Sequence, residues 1–267
     1  MTRMLKIKTD KKIKSVSNPP NLCHPCSVFF SIILISMLSG QSSQAQKTIT
    51  FPSKDGLTIT ADVYESDRKN PYIILCHQAR SGRGEYKEIA PRLVKLGFNC
   101  LAIDQRSGGE SNFVLNETAN LAKQKGLPMD YLDAEQDILA AMDYVAGISK
   151  EKMLLFGSSY SASLVLKIAN KDDRVKAVIA FSPGEYFGSA LNVKKAIAGF
   201  DKPAYVASSA SEAKFVIEML SDVKSVQVKR FAPVSGGEHA AKSLFKTSKE
   251  HDQYWLTLFS FMEKIPK

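Results

Sequence analysis

The chain has 267 residues and a formal net charge of +9, from 36 basic against 27 acidic side chains. Six of the basic residues and one acidic residue fall within residues 1–45, leaving 30 against 26 and a balance of +4 over residues 46–267. Charge spread so thinly excludes the clustered basic face of a nucleic-acid-binding protein, and the same stretch has no phosphate loop of the Gly-Lys-Ser/Thr type.

The N-terminal segment reads as a leader. Arg3, Lys6, Lys8, Lys11, Lys12 and Lys14 form a basic region, and an apolar run follows from Val28 to Leu38. A run of that length falls short of the roughly 20 residues that span a bilayer. Ser43 and Ala45 satisfy the small-x-small rule, so cleavage is expected after Ala45, with an uncleaved membrane anchor as the alternative. A cleaved leader implies a secreted or periplasmic protein with no stable membrane insertion. Cys23 and Cys26 lie in the leader and are discarded with it. Cys76 and Cys100 sit in apolar runs and read as buried thiols.

Residues 46–267 suit one domain with one sizeable core. Lys47–Phe51 and Leu57–Tyr64 alternate in polarity around Asp55-Gly56, which predicts a β-hairpin with one solvated face. Tyr72–Cys76 is continuously apolar, as a strand buried on both faces of a parallel sheet should be. Glu85 to Leu96 carries Ile89, Leu93 and Leu96 on one helical face, and Asn99–Ile103 is a second buried strand. Gln105 to Asp130 reads as an unusually long connection, a length that tends to carry function. Tyr131 to Val145 is an amphipathic helix. Lys152–Phe156, Val175–Phe181, Pro203–Ala207 and Ser225–Phe231 are strands, Glu212 to Leu220 is a helix, and an apolar-faced helix containing Tyr254, Leu258 and Phe261 closes the chain. Alternation of this kind after an antiparallel start predicts a mostly parallel sheet with helices on both faces. Ser182 to Lys202 has room for only a short helix, so any site beneath it is expected to be lightly covered.

Gly157-Ser158-Ser159-Tyr160-Ser161 stands between a buried-strand pattern and the helical pattern Ala162–Ala169. Small residues two before and two after a serine, between strand and helix, are the pattern of a nucleophile elbow. A serine hydroxyl needs a base, usually an imidazole oriented by a carboxylate. Of the three histidines beyond the leader, His77 ends a strand and His251 lies on the last helical pattern. His239 follows Ser235-Gly236-Gly237-Glu238 in a flexible loop C-terminal to Ser159, which makes it the candidate base. An acid is expected after the strand ending near Ala207, where no Asp occurs. Glu212 is the nearest carboxylate, with Glu185 as the alternative. The developing oxyanion needs donors. The backbone N–H of Tyr160 is one candidate, and Gln78 and Ala79, after His77, are candidates for the other.

In these motifs the chain resembles the α/β-hydrolase superfamily, nearest to its small dienelactone-hydrolase-like members. Four landmarks carry the resemblance in order: Leu75-Cys76-His77-Gln78-Ala79 for the oxyanion turn, Asp104–Ser111 for the Asp-x-Arg-Gly-x-Gly-x-Ser turn, the elbow, and Gly237-Glu238-His239 for the base loop. Within the second turn, Asp104 and Arg106 are expected to pair with each other. The resemblance implies an α/β fold with an eight-stranded sheet and a Ser-His-acid triad. The reaction it implies is hydrolysis of a small-molecule ester or related acyl bond, with no metal or organic cofactor. A peptidase and a non-catalytic binding protein that kept the fold are the alternatives. Nothing in the sequence reads on oligomeric state.

Overall fold

The computed structural model describes residues 46–223 and 225–267, so the expected leader and its cleavage point after Ala45 lie outside the described residues. Among the described residues no helix is long and apolar enough to cross a membrane.

The two alternating segments form β1 (Lys47–Pro52) and β2 (Thr58–Tyr64), antiparallel about the Asp55-Gly56 turn. Gly56 takes φ +80°, a backbone state that residues with a Cβ rarely adopt. The continuously apolar runs become β3 (Tyr72–Cys76), β4 (Asn99–Ile103), β5 (Met153–Ser158), β6 (Val175–Phe181) and β7 (Ala204–Ala207). The last strand, β8 (Val228–Phe231), is a half-exposed edge. One eight-stranded sheet runs in the order β1-β2-β4-β3-β5-β6-β7-β8. Only the β1–β2 and β2–β4 pairs are antiparallel.

Successive residues of a strand face opposite ways, and here both faces are covered. In β3, Ile74 and Cys76 enter a core shared with helices α3 (Glu135–Ile148), α4 (Tyr160–Ala169) and α6 (Ala213–Met219). Ile73 and Leu75 enter a second core shared with α1 (Ala90–Lys95) and α7 (His251–Met262). Cys76 and Cys100 are unpaired and belong to opposite cores, and burial pushes both thiols well above their ordinary pKa.

Several boundaries differ from the sequence reading. The helix expected from Glu85 breaks into a 3-10 turn (Arg83–Tyr86) and α1, because Pro91 has no N–H to bond back across the join. α3 begins at Glu135 rather than Tyr131, since the N–H groups of Asp133, Glu135 and Gln136 each bond three residues back in tight turns. The eighth strand starts at Val228 because Ser225 turns the chain, its Oγ and carbonyl accepting from Gln227 N–H and Val228 N–H. The connection after β4 is not structureless: α2 (Glu117–Gln124) lies within it, capped by the Asn116 side chain, which accepts the Ala119 N–H at 2.8 Å. As expected, Ser182 to Lys202 holds only a 3-10 turn (Gly188–Ala190) and the one-turn helix α5 (Val193–Ala196).

Candidate active site

Five connections converge beyond the carboxyl ends of β3, β5, β6, β7 and β8, where open α/β sheets bind their ligands. The elbow joins β5 to α4. Ser159 takes φ 58° and ψ −124°, a conformation that costs a residue with a Cβ on the order of 1–3 kcal/mol. Two hydrogen bonds hold it: Ser159 N–H donates to Phe181 O at 2.8 Å, and Ser159 O accepts from Ala162 N–H at 2.8 Å. A Cβ on Gly157 would lie 2.5 Å from Ala162 Cα and from Ser161 O, so the first small position admits only glycine. The second position tolerates Ser161 because its Oγ donates to His77 O at 2.6 Å, tying the elbow to the turn after β3.

Ser159 Oγ lies 2.8 Å from His239 Nε2, and His239 Nδ1 lies 2.5 Å from Glu212 Oε1. An ionised carboxylate only accepts, so Nδ1 carries the ring proton and Nε2 is left to accept from the serine. The elimination that selected His239 and the choice of Glu212 thus bring together three side chains from three separate loops. Glu212 reaches from the first residue before α6. Its Oε2 accepts from Ser182 Oγ at 2.7 Å and from Ser209 N–H at 3.0 Å. Burial alone would raise the Glu212 pKa. The hydrogen bonds from His239, Ser182 and Ser209 outweigh burial and hold it at about 2, below its ordinary 4.5. His239 remains 43% exposed, in keeping with the light cover expected over the site.

Glu185, the alternative acid, is engaged elsewhere. Its two oxygens accept the N–H groups of Val193 and Lys194 at 2.7 and 2.8 Å, capping α5. Of the two residues after His77, Gln78 departs from expectation: its N–H donates to Glu85 Oε2 at 3.1 Å. The N–H groups of Ala79 and Tyr160 meet no acceptor among the described residues. The Tyr160 ring is buried, stacks on Tyr131 at 4.5 Å and bonds Ser107 Oγ at 2.6 Å. His77 is fully buried and structural. Its Nε2 accepts Gln105 N–H and its Nδ1–H donates to Gln78 O, both at 2.8 Å, and burial holds its pKa below the ordinary value. His251 begins α7 and stays outside the site.

Asp104 and Arg106 do not pair with each other. Asp104 pairs with Arg83, while Arg106 pairs with Asp137 at 2.7 Å and Asp55 at 2.6 Å. Each finds its partner on another element.

One residue escaped the sequence reading. Ser182 sits at φ 52° just after β6, donating to Glu212 and accepting the Ala240 N–H at 2.9 Å. Tyr186 donates to Ser182 O at 2.8 Å. Burial pushes its phenol above the ordinary pKa, with a contact to Ser159 acting in the other direction. Ser182 carries no motif, and only its position after a strand end could have pointed to it. Among the described residues no cluster of His, Cys, Asp or Glu could hold a metal ion.

Comparison with known proteins bears on the same frame. The acyltransferase drtE of Aspergillus calidoustus is 28% identical over 146 residues, covering 51% of this chain and 42% of that protein. The chain spans under half the length of the curated relatives it matches. An esterase of Pyrococcus furiosus superposes with a TM-score of 0.64 at 15% identity, covering 84% of this chain and 92% of the other. A dienelactone hydrolase of Anabaena variabilis gives 0.64 at 12% identity, covering 84% and 99%. At such identities the likeness is one of fold. The family model described as serine aminopeptidase, S33, matches residues 67–231, more than half of the chain, and the protein therefore belongs to that family of α/β hydrolases.

Proposed function

We propose that this α/β hydrolase is a serine hydrolase that cleaves a carboxylic ester or related acyl bond through an acyl-enzyme. The observation that carries the reading is the unbroken relay from Ser159 Oγ through the His239 ring to Glu212. Ser159 attacks the acyl carbon and gives its proton to His239 Nε2. Glu212 keeps the ring in the tautomer that leaves Nε2 free, and stabilises the imidazolium that forms. The Tyr160 and Ala79 N–H groups donate to the developing oxyanion. The imidazolium then protonates the leaving oxygen. Water enters past the exposed His239, is deprotonated by it, and releases the acid and free Ser159. No step calls for a cofactor.

The test is turnover of short-chain p-nitrophenyl esters by residues 46–267, beside Ser159→Ala, His239→Ala and Glu212→Gln. Loss of turnover in the first two, with fluorophosphonate labelling of the parent alone, is the expected result. A parent that neither turns over nor labels would favour a binding protein. Residues 1–45 are proposed to be a cleaved leader directing the chain out of the cytoplasm, and N-terminal sequencing of the protein recovered from its host would check this.

A further inference from the structure

Two cavities flank the candidate site, and Tyr186 stands in the wall of both. One, of about 570 Å³, lies between the segment after β6 and α6, with Pro183, Phe215, Val216 and Met219 as its apolar lining and Glu212 on its wall. The other, of about 530 Å³, lies between Met129, Tyr131 and Leu132 on one side and Phe187 and Ala190 on the other, with Asp130 and Asp133 also in its wall. Both volumes fall in the range of small-molecule sites. The partition between them is fixed. The Tyr186 hydroxyl is held by Ser182 O at 2.8 Å, and its ring packs so closely on Gly184 that a Cβ there would lie 3.0 Å from it.

Each cavity connects to a different half of the chemistry. The first shares Glu212 with the relay, so it lies on the side of the base. The second shares Tyr131, whose ring stacks at 4.5 Å and 17° on Tyr160, the residue whose N–H is a candidate oxyanion donor. We propose that Tyr186 divides the substrate site into two arms, the acyl chain lying against Met129, Tyr131, Leu132 and Phe187 in one cavity and the alcohol portion in the cavity against α6. The substrate class is then an ester carrying apolar groups on both sides of the scissile bond. This rests on the serine-hydrolase reading above. The assignment of arms follows from the proton path. When the tetrahedral intermediate collapses, the bond from the acyl carbon to the alcohol oxygen breaks, and that oxygen takes the proton from His239 Nε2. The departing alcohol must therefore lie on the side of the base. The acyl carbon stays bonded to Ser159 Oγ, with its oxygen toward the Tyr160 N–H and its chain beyond it.

Two ester series test the proposal on residues 46–267. In p-nitrophenyl esters from acetate to octanoate only the acyl chain varies. In methyl, butyl and octyl acetates only the alcohol varies, with nearly constant leaving-group basicity. Burial of a methylene is expected to raise kcat/KM by up to about fourfold in each series until the cavity fills. Ala190 and Phe215 are both exposed, so Ala190→Trp and Phe215→Asp should fold. Ala190→Trp should abolish the gain along the acyl series while the alcohol series keeps its slope. Phe215→Asp should flatten the alcohol series alone. Tyr186→Phe should keep both slopes and Tyr186→Ala should flatten both, which a loss of folding would not produce if acetate turnover persists. The opposite pairing of variant and series overturns the assignment of arms. A parent that hydrolyses acetates with no chain-length dependence overturns the two-armed site while leaving the serine-hydrolase reading standing. A parent with neither turnover nor fluorophosphonate labelling overturns both.

Discussion

Ser182 Oγ donates to Glu212 Oε2 at 2.7 Å while Glu212 Oε1 faces His239. The same hydroxyl accepts the N–H of Ala240, the residue after the imidazole, at 2.9 Å. One side chain thus fixes the carboxylate and the backbone beside the ring together. A hydrogen bond to a charged group contributes about 1.5–3 kcal/mol, so Ser182→Ala should lower kcat by roughly 10- to 100-fold. KM should hardly move, because Ser182 touches the relay rather than the cavities. Steady-state kinetics on a p-nitrophenyl ester would check this, and an unchanged kcat would mean that Glu212 is held adequately without it.

Glu212 has a second, thermodynamic signature. Its folded pKa of about 2 lies below its ordinary 4.5. A depressed carboxylate contributes stability above its unfolded pKa and loses that contribution as pH falls through the folded one. The parent should therefore exceed Glu212→Gln in stability at neutral pH, and the gap should close between pH 4.5 and about 2. Urea denaturation of both proteins across that window is the measurement. The carboxylate also stays charged from pH 4 upward, so it should add no limb to the pH–rate profile in that range. At neutral pH, Glu212→Gln should lower kcat by about 10³- to 10⁴-fold, since the amide no longer enforces the tautomer or stabilises the imidazolium.

The elbow yields a steric prediction. At Gly157 the atoms that a Cβ would strike, Ala162 Cα and Ser161 O, are backbone atoms at 2.5 Å and have nowhere to move. Gly157→Ala should cost about 3 kcal/mol, at the upper end for overpacking, and should remove fluorophosphonate labelling even in the folded fraction. A folded, fully labelled Gly157→Ala would show the turn to be softer than its contacts imply. At the other small position, Ser161→Ala keeps the space and loses one hydroxyl proton shared between His77 O and Gln105 Oε1, so its effect should stay near 1 kcal/mol.

Strands β3 to β7 were legible because burial on both faces leaves continuous apolar runs, and the elbow because a tight strand-to-helix turn restricts residue size at fixed spacing. His239 could be reached by chain order, and Glu212 by its distance from a strand end. What stayed hidden depends on contacts between distant residues. α2 was missed because Thr118, Ala119 and Ala122 are its buried face, too small to make a hydrophobic period. Ser182 was missed because a serine after a strand is common, and only the fold brings it to Glu212. Glu85 likewise gave no sign that it would take the Gln78 N–H.

The pairing of Arg106 supports a final prediction about what holds this face of the sheet. Its guanidinium is fully buried between Asp137, which is also fully buried, and Asp55, which is about a quarter exposed. Asp137 lies in the first turn of α3 and Asp55 in the hairpin turn, so the arginine joins the turn after β4 to both. Breaking a buried pair strands its partner in a medium that solvates it poorly, at a cost of about 3–5 kcal/mol. Arg106→Met should destabilise by that amount, because burial already raises the Asp137 pKa to about 6 and, without the arginine, Asp137 must either carry an uncompensated charge or take up a proton. Arg106→Met combined with Asp137→Leu removes both charges and should recover most of the loss, leaving only the exposed Asp55 without its partner. Urea denaturation of the three proteins would measure the coupling. Equal losses in the single and double variants would mean that the salt bridge acts through geometry rather than charge compensation. The position of the 105–116 connection over His77 would then be what Arg106 maintains, and ester turnover should fall in both variants alike.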